Sequence, residues 1–202
     1  MAPRRAAVLR GEDDGRSLRE HLIATAEHLI ADRGTAGLTV RAIAREAGVA
    51  DGVLYNHFAD KEELLANALY RYVRSVERGL GPLPEPGVGT VEAGLRVHLA
   101  YGLALHRAIL PAFTGLLAQP VVLARFAELR DHGEHWRDKL LGYLRAERES
   151  GRLAADAQVD AAAAMLVGVC HETVLSALLP SGTASGAPAV ESVVTAVLNG
   201  IS

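Results

Sequence analysis

Cysteine, lysine and large aromatics are scarce in this chain of 202 residues: one cysteine, two lysines (Lys61 and Lys139), one tryptophan and three phenylalanines. The lone Cys170 excludes an internal disulfide and agrees with a reducing, cytoplasmic setting. Excess positive charge is missing too. The net charge is −3, whereas a nucleic-acid binder is usually basic. Residues 1–78 hold 12 Lys/Arg against 12 Asp/Glu, and residues 79–202 hold 9 against 12, so all of the −3 lies in the second part. The opening MAPRRAAVLRGEDDGRS has arginines with no apolar run behind them, which is not the pattern of a secretory signal. The nearest approach to a membrane segment, AAAAMLVGVCHETVLSALL at 161–179, carries His171 and Glu172 in its middle, a costly pair in lipid. A buried helix of a soluble protein is the expectation there, with no membrane partner. No P-loop, zinc knuckle or nucleophile elbow is present, and no cofactor or metal is expected. His132 and His135, three apart, lack further ligands nearby and read as a solvated surface.

What the chain does have is helical period nearly throughout and no sustained alternation, which predicts an all-α fold. Ser17 with Glu20 is a capping box predicting a first helix, carried by Leu22, Ile23, Ala26, Leu29 and Ile30 and stopped by Gly34. Thr39 can cap a second helix that buries Val40, Ile43, Ala44 and Ala47 and closes at a left-handed Gly48. A very short third helix passes through Val53 and Leu54, and Asp60 with Glu63 opens a fourth from Lys61 to about Arg78. GLGPLPEPGVGT (79–90) cannot be helical and marks the clearest break. Beyond it, VEAGLRVHLAYGLALHRAIL reads as the central helix of a bundle. Pro111 and Pro120 punctuate the next segments. Trp136, Leu140, Tyr143 and Leu144 stripe a helix ending near Gly151, Asp156 can open a helix to Leu179, and a last helix covers about 189–199.

Residues 39–58, two short helices about a glycine-containing turn, have helix-turn-helix form. In that geometry the first helix braces and the second enters the major groove. Arg41 and Arg45 lie outward on the bracing helix, and Tyr55 and His57 end the second. Lys61 stands at a helix start, where free N–H groups favour an anion. IAREAGV followed by GVLYNHFADKEELL, preceded by a helix ending ADRG and by Thr39, resembles the DNA-binding domain of the TetR family of transcriptional regulators. The resemblance spans roughly residues 17–78, with Gly52, Leu54, Tyr55, Phe58 and Lys61 in register. It implies phosphate contacts from Thr39, Tyr55, His57 and Lys61, and places Ala50, Asp51, Gly52 and Asn56 toward the bases. It also implies that the remainder is a variable helical ligand-binding and dimerisation domain.

Position 50 departs from the family, which often has Ser or Thr there as a cap, worth about 1 kcal/mol. Asp51 is placed to compensate, either as a cap or in the first turn, or else to accept from cytosine N4. Gly52 costs about 1 kcal/mol relative to alanine inside a helix. It calls for either close approach to DNA or tight packing on the first helix. Arg4, Arg5 and Arg10 form either a minor-groove arm or a disordered tail.

These readings divide the chain into an arm (1–16), a helix-turn-helix domain (17–78) and a ligand-binding and dimerisation domain (79–202). Residues 161–202 contain only two charged side chains, Glu172 and Glu191, so the last two helices are expected to pair with a second copy. His98, Tyr101, Gly102, Leu105 and Ile109 share a helix face, two polar tips in an apolar wall. Phe113, Trp136, Tyr143, His171 and Glu172 complete the expected effector site. The expected function is a dimeric repressor on double-stranded operator DNA, released by a small, largely apolar molecule. Two alternatives stand beside it: a helical enzyme using His98, His106, His171 or Glu172, and a DNA-binding regulator that takes no ligand.

Overall fold

The computed structural model describes residues 12–35, 38–130, 135–178 and 188–201. Its regular structure among these residues is helical: α1 (Glu12–Arg33), α2 (Val40–Ala47), a 3-10 helix (Asp51–Asn56), α3 (Lys61–Gly79), α4 (Val91–Thr114), α5 (Pro120–Glu128), α6 (Trp136–Glu149), α7 (Val159–Leu178) and α8 (Val190–Asn199). Two compact units result. One comprises Met1–Ser75 with Ala112–Leu129, and the other comprises Val76–Pro111 with Arg130–Ser202.

In the first unit, Leu22, Ala26 and Ile30 of α1 bury the face that their spacing predicts, together with Ile43, Leu54 and Phe58. Gly34 closes α1 in the left-handed region at φ 70°, its N–H donating to the Ile30 carbonyl. The Thr39 hydroxyl accepts from Ala42 N–H at 3.1 Å to cap α2, and Gly48 ends it at φ 72°. Asp60 accepts from Glu63 N–H at 2.9 Å while the Glu63 carboxylate reaches back to Ala59 N–H at 2.8 Å. Those reciprocal bonds open α3 as the sequence predicts. Pro120 starts α5, where its missing N–H is harmless. The ring of Phe126 meets Phe113 edge-on at 5.3 Å, and the Thr35 hydroxyl donates to the Ala112 carbonyl at 2.5 Å.

Several boundaries differ from expectation. Helix α1 begins at Glu12, so Ser17 sits inside it and is no cap, and residues 12–16 of the expected arm are helical. Arg4, Arg5 and Arg10 lie outside the described residues, as does His132. Pro111 does not end a helix. It stands inside α4, one turn from its end, where only one carbonyl loses its intrahelical donor. Helix α7 starts at Val159, three residues past Asp156.

The second unit packs α4, α6, α7 and α8 around Leu95, Leu99, Leu140, Leu144, Leu166 and Val194. The glycine-proline stretch breaks the helices but is tied down within this unit. Glu147, fully buried, accepts from Gly87 N–H at 3.0 Å and pairs with Arg152 at 3.3 Å, and Arg152 also donates to the Gly89 carbonyl.

Candidate nucleic-acid interface and sensor core

The capped α2 and the six-residue 3-10 helix present their outer residues to solvent. Tyr55 is 61% exposed. Thr39, Arg41, Arg45, Ala50, Asp51, Gly52 and Asn56 are exposed, and His57 and Lys61 are half-buried. Leu54, pointing the other way, is buried and anchors the reading element. Asp51 makes no capping bond. Ala50 precedes the helix without a side-chain cap, and the Asp51 carboxylate instead meets Arg41 Nε at 3.4 Å. Two exposed partners at that distance contribute little stability, but the pair tempers the positive charge that Arg41 offers. A Cβ at Gly52 would meet nothing within 4 Å. Tight packing on the first helix is therefore not the reason for a glycine there.

Behind this surface lies a connection that the sequence reading missed. Arg125 of α5 grips both oxygens of Asp60, the residue that caps α3 one step before Lys61. Its guanidinium, and next the Glu63 N–H, hold the Asp60 carboxyl below the ordinary carboxylate range. Arg19 donates to Glu63 at 2.9 Å and lies over the Phe58 ring at 4.7 Å. Arg125 is 65 residues from Asp60, and no local pattern announces such a partner.

In the second unit, α4 carries Gly94, His98, Gly102 and His106 at four-residue intervals, a row that slants gently across the helix. The glycines are notches. A Cβ at Gly94 would collide with the Tyr143 hydroxyl, and one at Gly102 with the Trp136 indole. His98 lies between them, 1% exposed, its ring 4.7 Å from that of Tyr143. Neither His98 ring nitrogen nor Trp136 Nε1 has a protein hydrogen-bond partner. Burial lowers the His98 pKa to about 4, so the ring is neutral at pH 7. Burial first, then the nearby Glu147 carboxylate, pushes the Tyr143 phenol up to about 12. His106 Nδ1 donates to the Gly102 carbonyl at 2.6 Å, and its ring meets Trp136 at 5.4 Å and His171 at 4.8 Å. The Cys170 thiol is buried and raised to about 12, which leaves it an inert core group.

Of the expected effector residues, the structure gathers His98, Tyr101, Leu105, Trp136 and Tyr143 in this buried core. Phe113 belongs to the other unit, against Phe126. His171 is exposed with its ring against His106, and Glu172 is exposed and accepts from Ser176 at 2.6 Å. The stripe of two glycines and two histidines was visible in the sequence; only the face-sharing of His98 with Gly102 was drawn from it.

Residues 22–72 match the family profile described as bacterial regulatory proteins, tetR family, and they span the helix-turn-helix from α1 into α3. The chain carries a domain similar to the DNA-binding domain of the TetR family. The transcriptional repressor KstR2 of Mycolicibacterium smegmatis is 43% identical over 53 residues, 26% of either chain. KstR2 of Rhodococcus jostii is 28% identical over 147 residues, covering 71% of this chain and 72% of that one. Among solved structures, the flavonoid-responsive regulator FrrA superposes with a TM-score of 0.63 at 25% identity, covering 91% of this chain and 94% of that chain.

The chain leaves one long apolar face bare. Helix α7 is long and apolar enough to cross a membrane by length and composition, yet only 28% of its most apolar stretch is buried. The expectation of a buried helix is thus half right. Val159, Ala162, Leu166, Cys170 and Val174 face the core, while Met165, Leu175 and Leu178 are exposed.

Proposed function

We propose that this TetR-family transcriptional regulator is a repressor that binds a palindromic operator as a homodimer and is released by a small, largely apolar effector held in the second unit. The observation that carries the DNA half is exposed Tyr55 with half-buried His57 and Lys61 around a 3-10 helix whose inner residue Leu54 is locked in the core. Phosphate oxygens would be met by Thr39, Arg41, Arg45, Tyr55, His57 and Lys61, the last of these at the amino end of α3 where the dipole adds to its charge. Ala50, Asp51, Gly52 and Asn56 would face the base edges. The effector half is supported by a core that places unpaired polar tips within an apolar wall. The flavonoid-responsive relative lends it further support. Both α3 and α4 contribute residues to each compact unit, so two helices link the sensor to the reader covalently. Couplings of this sort are typically about 1–3 kcal/mol. Dimerisation is assigned to the exposed face of α7 with α8, and the expected location is the cytoplasm.

Band-shift titration on the DNA upstream of the gene tests this reading. Lys61→Gln should weaken binding and reduce the slope of log affinity against log salt by about 1. Tyr55→Phe should weaken binding while leaving that slope alone. No retardation by the wild-type protein at low salt would end the reading.

A further inference from the structure

We infer that the buried site on α4 and α6 takes a neutral molecule whose hydrogen-bond-accepting oxygen, carbonyl or ether, sits on an apolar skeleton. The inference rests on the reading of this chain as a ligand-responsive regulator and specifies the chemistry of its effector. Two nearly fully buried side chains lack protein partners there, His98 at 1% exposure and Trp136 at 3%, while the Tyr143 hydroxyl beside them is engaged by the Glu147 carboxylate. Native interiors leave few polar groups in that condition, and each such group costs about as much as a desolvated, unmade hydrogen bond. The inventory of these groups selects the ligand. Indole Nε1 only donates, and the Tyr143 phenol beside it directs its proton to Glu147. A neutral imidazole has one donor and one acceptor. The His106 Nδ1 proton is already committed to the Gly102 carbonyl. The site is therefore donor-rich and calls for an acceptor.

Charge is selected against. The buried acids of this unit already have cations: Glu77 pairs with Arg130 at 3.1 Å and Glu147 with Arg152 at 3.3 Å. An entering carboxylate finds neutral donors beside the Glu147 carboxylate, and the Arg152 cation near Tyr143 is already paired with that acid, whereas an entering ammonium leaves all the donors unmet. The glycine notches supply the room. Trp136 and Tyr143, seven residues apart on α6, lie in the notches at Gly102 and Gly94. Rings lifted from those notches would open an apolar slot beside α4, with His98 midway along it.

Trp136 is the chain's sole tryptophan, so its emission reports on this slot alone. The test titrates the full-length protein with three probes that share one cage: 2-adamantanone, adamantane-1-carboxylate and 1-adamantyltrimethylammonium. The ketone should shift Trp136 emission and raise Tm at concentrations at least tenfold below either ion. His98→Phe should melt no lower than the wild type, because it removes ring nitrogens without a protein partner, and should bind the ketone about five- to tenfold more weakly. Tighter binding of either ion, no response to any probe, or unchanged ketone affinity in His98→Phe would overturn the inference. No response at all would mean that the polar atoms are satisfied by water. Band shifts run on the same samples separate the two levels. A ketone that binds while operator DNA stays bound defeats the ligand-responsive reading but not the site, whereas an ion that binds and releases DNA defeats the site chemistry but not the reading.

Discussion

Gly52 and Asp60 show how single residues divide between folding and reading. At Gly52 an added methyl would have open space around it, and φ lies outside the left-handed region, so the fold has no use for a glycine. Glycine also loses more backbone entropy than alanine on ordering, at a cost of about 0.5–1 kcal/mol. The remaining physical reason is the surface that approaches it from outside. Gly52→Ala should accordingly hold or raise Tm while weakening operator binding, as thermal melts and band shifts on one preparation would record. An alanine variant that binds DNA as well as the parent would show that close backbone approach is not required. Asp60 belongs to the other category. It is bound by Arg125 and by the first turn of α3 together, which sets the place of Lys61 through a half-buried bond to α5.

At the scale of elements, the pairing of α4 with α6 is the feature most exposed to a small change. Both glycine notches are filled by aromatic side chains, so a methyl at Gly102 cannot be absorbed by a flexible tip; the Trp136 indole must move. Gly102→Ala should cost about 1–3 kcal/mol, the usual penalty of overpacking. It should also shift the emission of the protein's one tryptophan toward that of a wetter environment before any ligand is added. Emission identical to the parent would mean that the notch does not hold the ring. The same pairing marks how far the sequence could be read. Thr39, Gly48, Asp60 and the apolar spacing of α1 and α2 act within a few residues, and the structure has them as the pattern predicts. Ser17 misled because a capping box is a local signal, and the chain before it continued the helix. Pro111 misled because a proline near a helix end removes only one bond. The Gly94 and Gly102 notches and the Arg125 grip on Asp60 depend on partners 34 to 65 residues away, and nothing nearby in sequence names those partners.

The whole molecule is decided by what covers α7. Its inner residues complete the core of one chain, and its outer ones, Met165, Leu175 and Leu178, are between 41% and 52% exposed. Gly168 lies on the exposed side, and a Cβ there would meet nothing within 4 Å, so another helix can approach closely. Large exposed apolar faces on soluble chains mark association sites. A helix-turn-helix reader gains register and affinity from a second copy set one turn of duplex away. Glu172 stands in the same neighbourhood, and its carboxylate is already held by Ser176. Met165→Glu places an unpaired carboxylate in the middle of that face. Light scattering at micromolar concentration should show a dimer for the parent and a monomer for the variant, with unchanged helical circular dichroism because Met165 is not part of the single-chain core. Operator affinity should fall by far more than Tyr55→Phe alone produces, since an entire half-site is lost. A Met165→Glu protein that remains dimeric would place the contact elsewhere on the chain and leave the bare face of α7 without an occupant.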